Sequence, residues 1–375
     1  MKILFTGGGT GGHFYPIIAV AEALNDAVRE RKLLEPQLYF AAPDPYDREM
    51  LLAQNITFVP TSAGKVRSYV SILNFFDYFK TGWGVLRSIS RIFFLYPDVV
   101  FGKGGYGSFP TLVAARLFRI PLVIHESDAV PGKVNLWAGK FAVKVAVSYP
   151  EAAHYFPKEK VAFTGNPIRK AALLPAREGV FEYLKLNRDL PVIFVTGGSQ
   201  GAQAINEAVL AALPQLVEKY QIVHQTGEAN FKEVSGRAKV ALGNSLHSAR
   251  YKPFGYLNDL ALRMCAGAAS LVISRAGSTI FEIANWGLPS IIIPLPEPIS
   301  HDQTKNAFAY ARSGACSVVE QNNLTPGLLL AEIDRIVGSH EITQKMQNAA
   351  KSFSRVDAAK VIADALLTIA LSHEA

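Results

Sequence analysis

Cysteine is nearly absent: the 375 residues include two, Cys265 and Cys316, far apart and with no second pair. Two such thiols supply neither a disulfide scaffold nor a cysteine zinc site, and they fit a reducing compartment. Charge is sparse too, at 18% of residues, with 31 acids against 38 Lys and Arg and a net charge of +7. That excess points to anionic partners such as phosphates, nucleic acid or an acidic membrane face, without choosing among them. Long apolar runs are also lacking. The uncharged stretch between Lys2 and Glu22 is cut by Gly7, Gly8, Gly9, Gly11 and Gly12, and residues 283–296 are broken by Gly287 and prolines. Neither a secretory signal nor a transmembrane helix is expected.

What is present is apolar material, 49% of the chain, enough for about two domains at ~150 residues each. Residues 2–6 read as a buried strand, Gly7 to Gly12 as a tight turn and Pro16 to Leu24 as a helix, a βα unit. The pattern returns at residues 191–196, followed by Gly197, Gly198, Ser199, Gln200 and Gly201 and a helical run from Ala202 to Leu213. Thr6 and Thr196, each followed by two glycines, stand 190 residues apart, about half the chain. Further strands are expected at 37–41, 98–101, 122–125 and 143–147, then at 221–225, 271–274 and 290–294. Strands alternating with helices imply parallel sheets, so the expected fold is α/β with two doubly wound domains facing across a cleft. The first would span residues 1–166 and the second 167–349, connected within residues 165–191. The tail, 341–371, reads as helix, with 350–375 packing back on the first domain.

Gly7, Gly9 and Gly12 match the dinucleotide fingerprint, a weak signal alone, because glycines after a strand let backbone amides approach a phosphate. The lysine and hydroxyl of a P-loop are missing. Glycines at 102, 104, 105 and 107 and the run Arg275, Ala276, Gly277, Ser278 and Thr279 follow two further strands, which is more turns than one nucleotide needs. His13, Glu126, Asn135, Arg169, Ser199, Arg275, Glu282, Gln303 and Asn306 gather at these turns, and their chemistry suits a nucleotide sugar. Ser199 and the amides of residues 198–202 could bind a diphosphate at a helix start, Arg169 could add charge, and Glu282 could accept hydrogen bonds from a ribose diol. No Asp-x-Asp occurs and the histidines lack zinc spacing, so the expected site uses no metal and no cofactor.

These motifs, from the Gly7–His13 turn through residues 102–106, His125-Glu126, the Gly165–Arg169 segment, the Gly197–Ala202 turn, Ser274–Gly277 and His301–Gln303, resemble the MurG family of N-acetylglucosaminyltransferases in the same order. The resemblance implies a GT-B fold of two Rossmann-like domains, with UDP-N-acetylglucosamine held mainly by the second. It also implies inverting transfer of the sugar to the muramoyl 4-hydroxyl of lipid I, giving lipid II. It assigns Thr10, Gly11 and Gly12 to a loop near the diphosphate, Asn135 to the acetamido side, and Arg169 and Ser199 to the nucleotide and phosphates. Leu257 would lie beside uracil, Glu282 at the ribose, Gln303 and Asn306 at sugar hydroxyls, and Ser278 and Thr279 also in the donor site. The chain departs from the family pattern at Ser127-Asp128, where Asn or Gln commonly follows His-Glu, and has one residue fewer between Arg275 and Glu282. The implied partners are UDP-N-acetylglucosamine, lipid I, the cytoplasmic face of an anionic membrane and cell-wall synthesis proteins, with no nucleic acid.

Attack by a sugar hydroxyl needs a proton acceptor. His13, at a helix start that disfavours its protonated form, ranks before Glu126, where burial would raise the pKa or the carboxylate would cap a turn. Between Lys65 and Arg91 lie five basic residues and one acid, interleaved with aromatics, and Ile72, Phe75, Phe79, Trp83 and Leu86 recur at helical spacing. With Lys80 and Arg87 this stripe reads as a membrane-contact helix, against the alternative of core packing, and implies a peripheral place on the inner face of the cell membrane. Rival readings are a UDP-N-acetylglucosamine 2-epimerase of the same architecture and a nicotinamide oxidoreductase, for which Asp44 comes too late to hold a ribose. A nucleic-acid-binding protein fits less well, since the basic residues are local to one helix.

Overall fold

The computed structural model describes residues 1–8, 10–64, 72–198, 201–296 and 303–374, with the side chains of 72–76, 78, 373 and 374 left aside. Ser199 and the Phe75 side chain lie outside the described residues. The chain divides into two compact units, Met1–Arg169 with Arg355–Ala375, and Lys170–Ser354. The division falls three residues beyond the expected 166/167 boundary and five beyond 349/350.

The first unit carries a seven-stranded sheet in the order β3-β2-β1-β4-β5-β6-β7, built from β1 (Lys2–Thr6), β2 (Gln37–Ala42), β3 (Ile56–Pro60), β4 (Val99–Gly102), β5 (Leu122–Glu126), β6 (Lys144–Val147) and β7 (Val161–Phe163). The second carries six strands in the order β10-β9-β8-β11-β12-β13: β8 (Val192–Thr196), β9 (Gln221–Gln225), β10 (Tyr251–Phe254), β11 (Leu271–Ser274), β12 (Ser290–Ile292) and β13 (Cys316–Val318). The paired strands run parallel throughout. In each sheet the order reverses beside the first strand of the unit, at β1/β4 and at β8/β11. Such switch points leave a crevice outside the carboxyl ends of the strands, where ligands of open α/β sheets bind.

Central strands such as β8 are buried along their whole length, because helices cover both faces of a parallel sheet. The helix Gln203–Lys219 lays Ile205, Val209, Leu213 and Leu216 against one face, a 3.6-residue stripe. The strands absent from the sequence reading, β3, β7, β10 and β13, are the four sheet edges. Of their residues only Ile56, Tyr251 and Cys316 are buried, whereas the inner nine are buried along most of their length.

The tail is two helices rather than one. His340–Phe353 ends where Phe353 packs on Tyr310 and Phe281 in the second unit, at 4.8 and 6.0 Å between ring centroids. Ala358–Glu374 then buries Ile362, Leu366 and Leu367 in the core of the first unit, against the helix Gly11–Glu30. Residues 350–354 therefore belong to the second unit. Within the connecting stretch, Val180 and Leu184 enter the second unit's core, and the Ala172 carbonyl accepts from Trp286 Nε1 at 2.8 Å.

Candidate active site

In the first unit the turns after β1 and β4 meet glycine on glycine. A Cβ on Gly8 would lie 3.2 Å from Gly107 Cα, and one on Gly105 would lie 3.0 Å from the Gly8 carbonyl oxygen and 3.1 Å from His13 Cε1. Thr10 is the N-cap residue of the helix Gly11–Glu30, and its Oγ1 lies 3.3 Å from His13 Nδ1. His13 is half-buried, and burial together with the Lys103 ammonium holds its imidazole at about 4, against a hydrogen bond with the Gly8 backbone. The ring is thus neutral near pH 7, by desolvation and a neighbouring charge rather than by the helix start alone.

Glu126, at the end of β5, is 4% exposed. Its carboxylate accepts from the Asp128 amide (2.9 Å), the Gly132 amide (3.1 Å) and Asn135 Nδ2 (2.9 Å), which closes the loop after the strand. Burial and the Asp128 charge push this carboxyl above the usual carboxylate range, outweighing the hydrogen bonds and the attraction of Lys103. Asn135 also donates to the His125 carbonyl at 3.1 Å, and its amide lies where a Gly104 side chain would be, at a glycine with φ of 82°. His125 Nε2 lies 3.1 Å from the Gly165 carbonyl oxygen, and its buried ring is held well below its ordinary pKa. Arg169 is buried at the end of this unit, its guanidinium 4.1 Å from the centre of the Tyr15 ring.

In the second unit the turns after β8 and β9 fit just as closely. Gly201 has a φ of 74°, and a Cβ there would lie 1.9 Å from the Thr226 carbonyl oxygen. That carbonyl accepts from Asn206 and Asn230, each at 3.0 Å, and Asn206 Oδ1 faces His224 Nε2 at 3.0 Å. After β11, Arg275 is a strut: it donates to the Ile293 and Pro294 carbonyls and to Gln321 Oε1, and burial lowers its pKa to about 10. Ser278, Thr279 and Glu282 are half-buried around the start of the helix Thr279–Trp286. Gln303 Oε1 accepts from the Leu295 amide at 3.1 Å, Asn306 Nδ2 donates to the Ala276 carbonyl at 3.2 Å, and Leu257 is buried after β10. These residues share the carboxyl edge of the second sheet, as His13, Glu126 and Asn135 share that of the first. Among the described residues no group of three or more His, Cys, Asp or Glu is placed to hold a metal ion.

The helix Ile72–Leu95 is pressed onto the first unit through Gly84, where a Cβ would fall 1.6 Å from the Ser62 carbonyl oxygen, and through buried Ser88 and Ile92. Its opposite face leaves Phe79, Trp83 and Leu86 exposed at 66%, 65% and 61%. These three are not core. Lys80 and Arg87 lie exposed on the same helix, and Phe93, Phe94 and Leu117 are exposed on it and on the adjoining helix Phe109–Leu117. No helix among the described residues is long and apolar enough to cross a membrane.

Residues 3–147 match the glycosyltransferase family 28 N-terminal domain and residues 192–362 the glycosyltransferase family 28 C-terminal domain. The UDP-N-acetylglucosamine--N-acetylmuramyl-(pentapeptide) pyrophosphoryl-undecaprenol N-acetylglucosamine transferase 2 of Bacillus cereus is 36% identical over 364 residues, 96% of this chain and 97% of the relative. The crystal structure of MurG from Acinetobacter baumannii superposes with a TM-score of 0.72 at 27% identity, covering 98% of this chain and 99% of that one. The chain belongs to the MurG family. A putative UDP-N-acetylglucosamine 2-epimerase from Listeria monocytogenes has a TM-score of 0.69 at 15% identity, with 98% and 96% coverage, a likeness of fold.

For a MurG-family member, the sequence reading overlooked Lys103 and the pair His224 and Asn206; of the two alternatives it held open for Glu126, a raised pKa and a cap on the following turn, the structure shows both. Lys103 sits inside a glycine motif that drew attention to its glycines alone, and His224 reads locally as one more residue of a buried strand. The Ser127-Asp128 departure bears directly on Lys103: its Nζ hydrogen-bonds Ser127 Oγ, and both Glu126 and Asp128 attract its charge.

Proposed function

We propose that this chain is an inverting glycosyltransferase that moves N-acetylglucosamine from UDP-N-acetylglucosamine to the muramoyl 4-hydroxyl of lipid I, giving lipid II. Kinship along nearly the whole chain with a transferase named for that reaction carries the reading. The glycine turns at both switch points agree with it, since amides bared at strand ends suit diphosphates. The epimerases share the fold at 15% identity, which supports no more than the fold.

In this reading the donor is held mainly by the second unit, with Arg169 contributed by the first. Ser199 and the amides of the 198–202 turn hold the diphosphate and Arg169 adds positive charge, while Leu257 flanks the uracil and Glu282 the ribose. Ser278, Thr279, Gln303 and Asn306 complete the sugar side. Thr10, Gly11 and Gly12 serve the donor's diphosphate and Asn135 the acetamido side of its sugar. The acceptor hydroxyl attacks the anomeric carbon, its proton passes to His13, the bond to the diphosphate breaks and UDP departs with the bonding electrons. Donors already fixed at the diphosphate stabilise the charge that develops there. His13 is preferred to Glu126 because its ring is neutral near pH 7, whereas the Glu126 oxygens are taken up by the loop they close.

Phe75, Phe79, Trp83, Lys80 and Arg87 form the membrane-contact face, which rests on the anionic inner surface of the cell membrane where a polyprenyl acceptor resides. The deciding experiment incubates the full chain with UDP-N-acetylglucosamine and a short-chain lipid I analogue. Release of UDP together with a β-1,4-linked disaccharide product is expected. Binding of the UDP-sugar with no disaccharide and with epimerised donor would replace this reading by the isomerase.

A further inference from the structure

Beneath the glycine turn that follows β8, a chain of buried polar side chains runs through the interior of the second unit. His224, on β9, has a partner at each ring nitrogen: the Tyr251 hydroxyl lies 3.0 Å from Nδ1 and Asn206 Oδ1 lies 3.0 Å from Nε2. All three side chains are buried. The direction of each bond follows from the far end of the chain. Asn206 Nδ2 donates to the Thr226 carbonyl at 3.0 Å, so its Oδ1 accepts, the His224 proton sits on Nε2, and Nδ1 accepts from the Tyr251 hydroxyl.

The chain ends on the carbonyl against which the turn is seated. Gly201, in the left-handed region, packs so closely on the Thr226 carbonyl that no side chain fits between them. Thr226 is tied to β10 through its own amide, which donates to the Phe254 carbonyl at 2.9 Å, and Asn230 gives its carbonyl a second donor at 3.0 Å. Asn206 lies in the first turn of the helix Gln203–Lys219, its amide donating to the carbonyl of the N-cap residue Ala202 at 2.9 Å. One side chain thus joins the start of this helix to the end of β9. The helix is already held to the sheet by Ile205, Val209, Leu213 and Leu216, and leucines at 206 and 224 would fill the interior without any polar group to satisfy. What the polar chain adds is direction, since hydrogen bonds fix one geometry where apolar packing tolerates several.

We propose that Asn206 and His224 are positioning residues for the donor: together they hold the Thr226 carbonyl, and with it Gly201, in the arrangement that presents the amides at the start of the helix Gln203–Lys219 to the diphosphate. The proposal rests on the reading that this end of the second sheet binds UDP-N-acetylglucosamine. Amides held in place bind a diphosphate without the cost of ordering a glycine-rich turn, whose residues lose the most freedom when fixed. The uridine, flanked in that reading by Leu257 and Glu282, does not draw on this chain.

The test exploits that contrast. Affinities for UDP and for uridine are measured on the full chain by calorimetry and ligand-observed NMR in the parent, Asn206→Leu, His224→Leu and His224→Gln. Leucine donates nothing, whereas glutamine returns an N–H near the place of Nε2. Both leucine variants should lose about tenfold or more in affinity for UDP while uridine stays within about twofold, and His224→Gln should bind UDP nearly as the parent does. Equal losses for UDP and uridine overturn the proposal, as does an unchanged UDP affinity in either folded leucine variant or a His224→Gln protein as weak as His224→Leu. Failure of both leucine variants to fold overturns it too, since the chain would then serve the fold and not the turn. A parent that binds UDP no more tightly than uridine is a separate failure: it removes the diphosphate from this turn and overturns the donor-site reading along with the proposal.

Discussion

Replacing Phe79 and Trp83 together by serine tests the membrane face, because the two rings leave about two thirds of their surface in water. With roughly 200 Å² per aromatic side chain, the pair presents somewhat under 300 Å². At about 25 cal/mol per Å², complete transfer of that area into acyl chains is worth ~7 kcal/mol, and insertion to half depth ~3 to 4 kcal/mol. Loss of the half-depth term corresponds to about a 300-fold drop in partitioning. The fold should barely notice, since Gly84, Ser88 and Ile92 face the protein, not the two rings. Sedimentation with phosphatidylglycerol-containing vesicles measures the first effect and thermal unfolding the second. Unchanged partitioning of a fully folded double variant would refute the membrane assignment, and a Tm lowered by many degrees would refute the claim that these rings are peripheral to the core.

The remaining predictions concern the two sheets. His13→Ala should lower kcat by about 10²- to 10⁴-fold while UDP affinity in calorimetry stays within about twofold, and equal losses would take it out of the chemical step. Glu126→Ala should lower Tm in calorimetry, because two loop amides and the Asn135 amide lose their acceptor, a cost of about 3 kcal/mol or more. Gly201→Ala forces a left-handed residue into contact with the Thr226 carbonyl, so a loss of ~2 kcal/mol or more is expected in denaturant titration, with weaker UDP-sugar binding; a neutral result would mean the turn has slack. Buried His224 is lowered to about 3 in the folded chain by desolvation. Its contribution to stability is therefore complete above the unfolded value near 6.5 and is lost as pH falls toward 3, by up to about 1.4 kcal/mol per pH unit. Unfolding at pH 7 and pH 5 should show a smaller acid loss in His224→Gln than in the parent.

Much of this arrangement was legible without coordinates. The βα units at Lys2 and Val192, the half-chain repeat and the glycine turns are local patterns, and the family resemblance rests on motifs contiguous in the chain. What failed was what depends on neighbours distant in sequence. The break at Ser354 is one such case. Nothing in residues 341–371 forbids a single helix, yet Phe353 is claimed by Tyr310 and Ile362 by the core around β1, while Arg355 occupies the space that a side chain on Gly165 would fill.

The sequence by itself determined the inner strands and the turns at their ends, because a strand covered on both faces is mostly apolar and a turn that admits backbone to backbone must be glycine. Only the tertiary structure decided the edges and the electrostatics. Edge strands owe their place to a partner on one side, so their residues need not advertise it. Burial first, and then the charge of Lys103 ninety residues away in the chain, lower the His13 pKa; burial and fields act through space, and their sources cannot be read from adjacent letters.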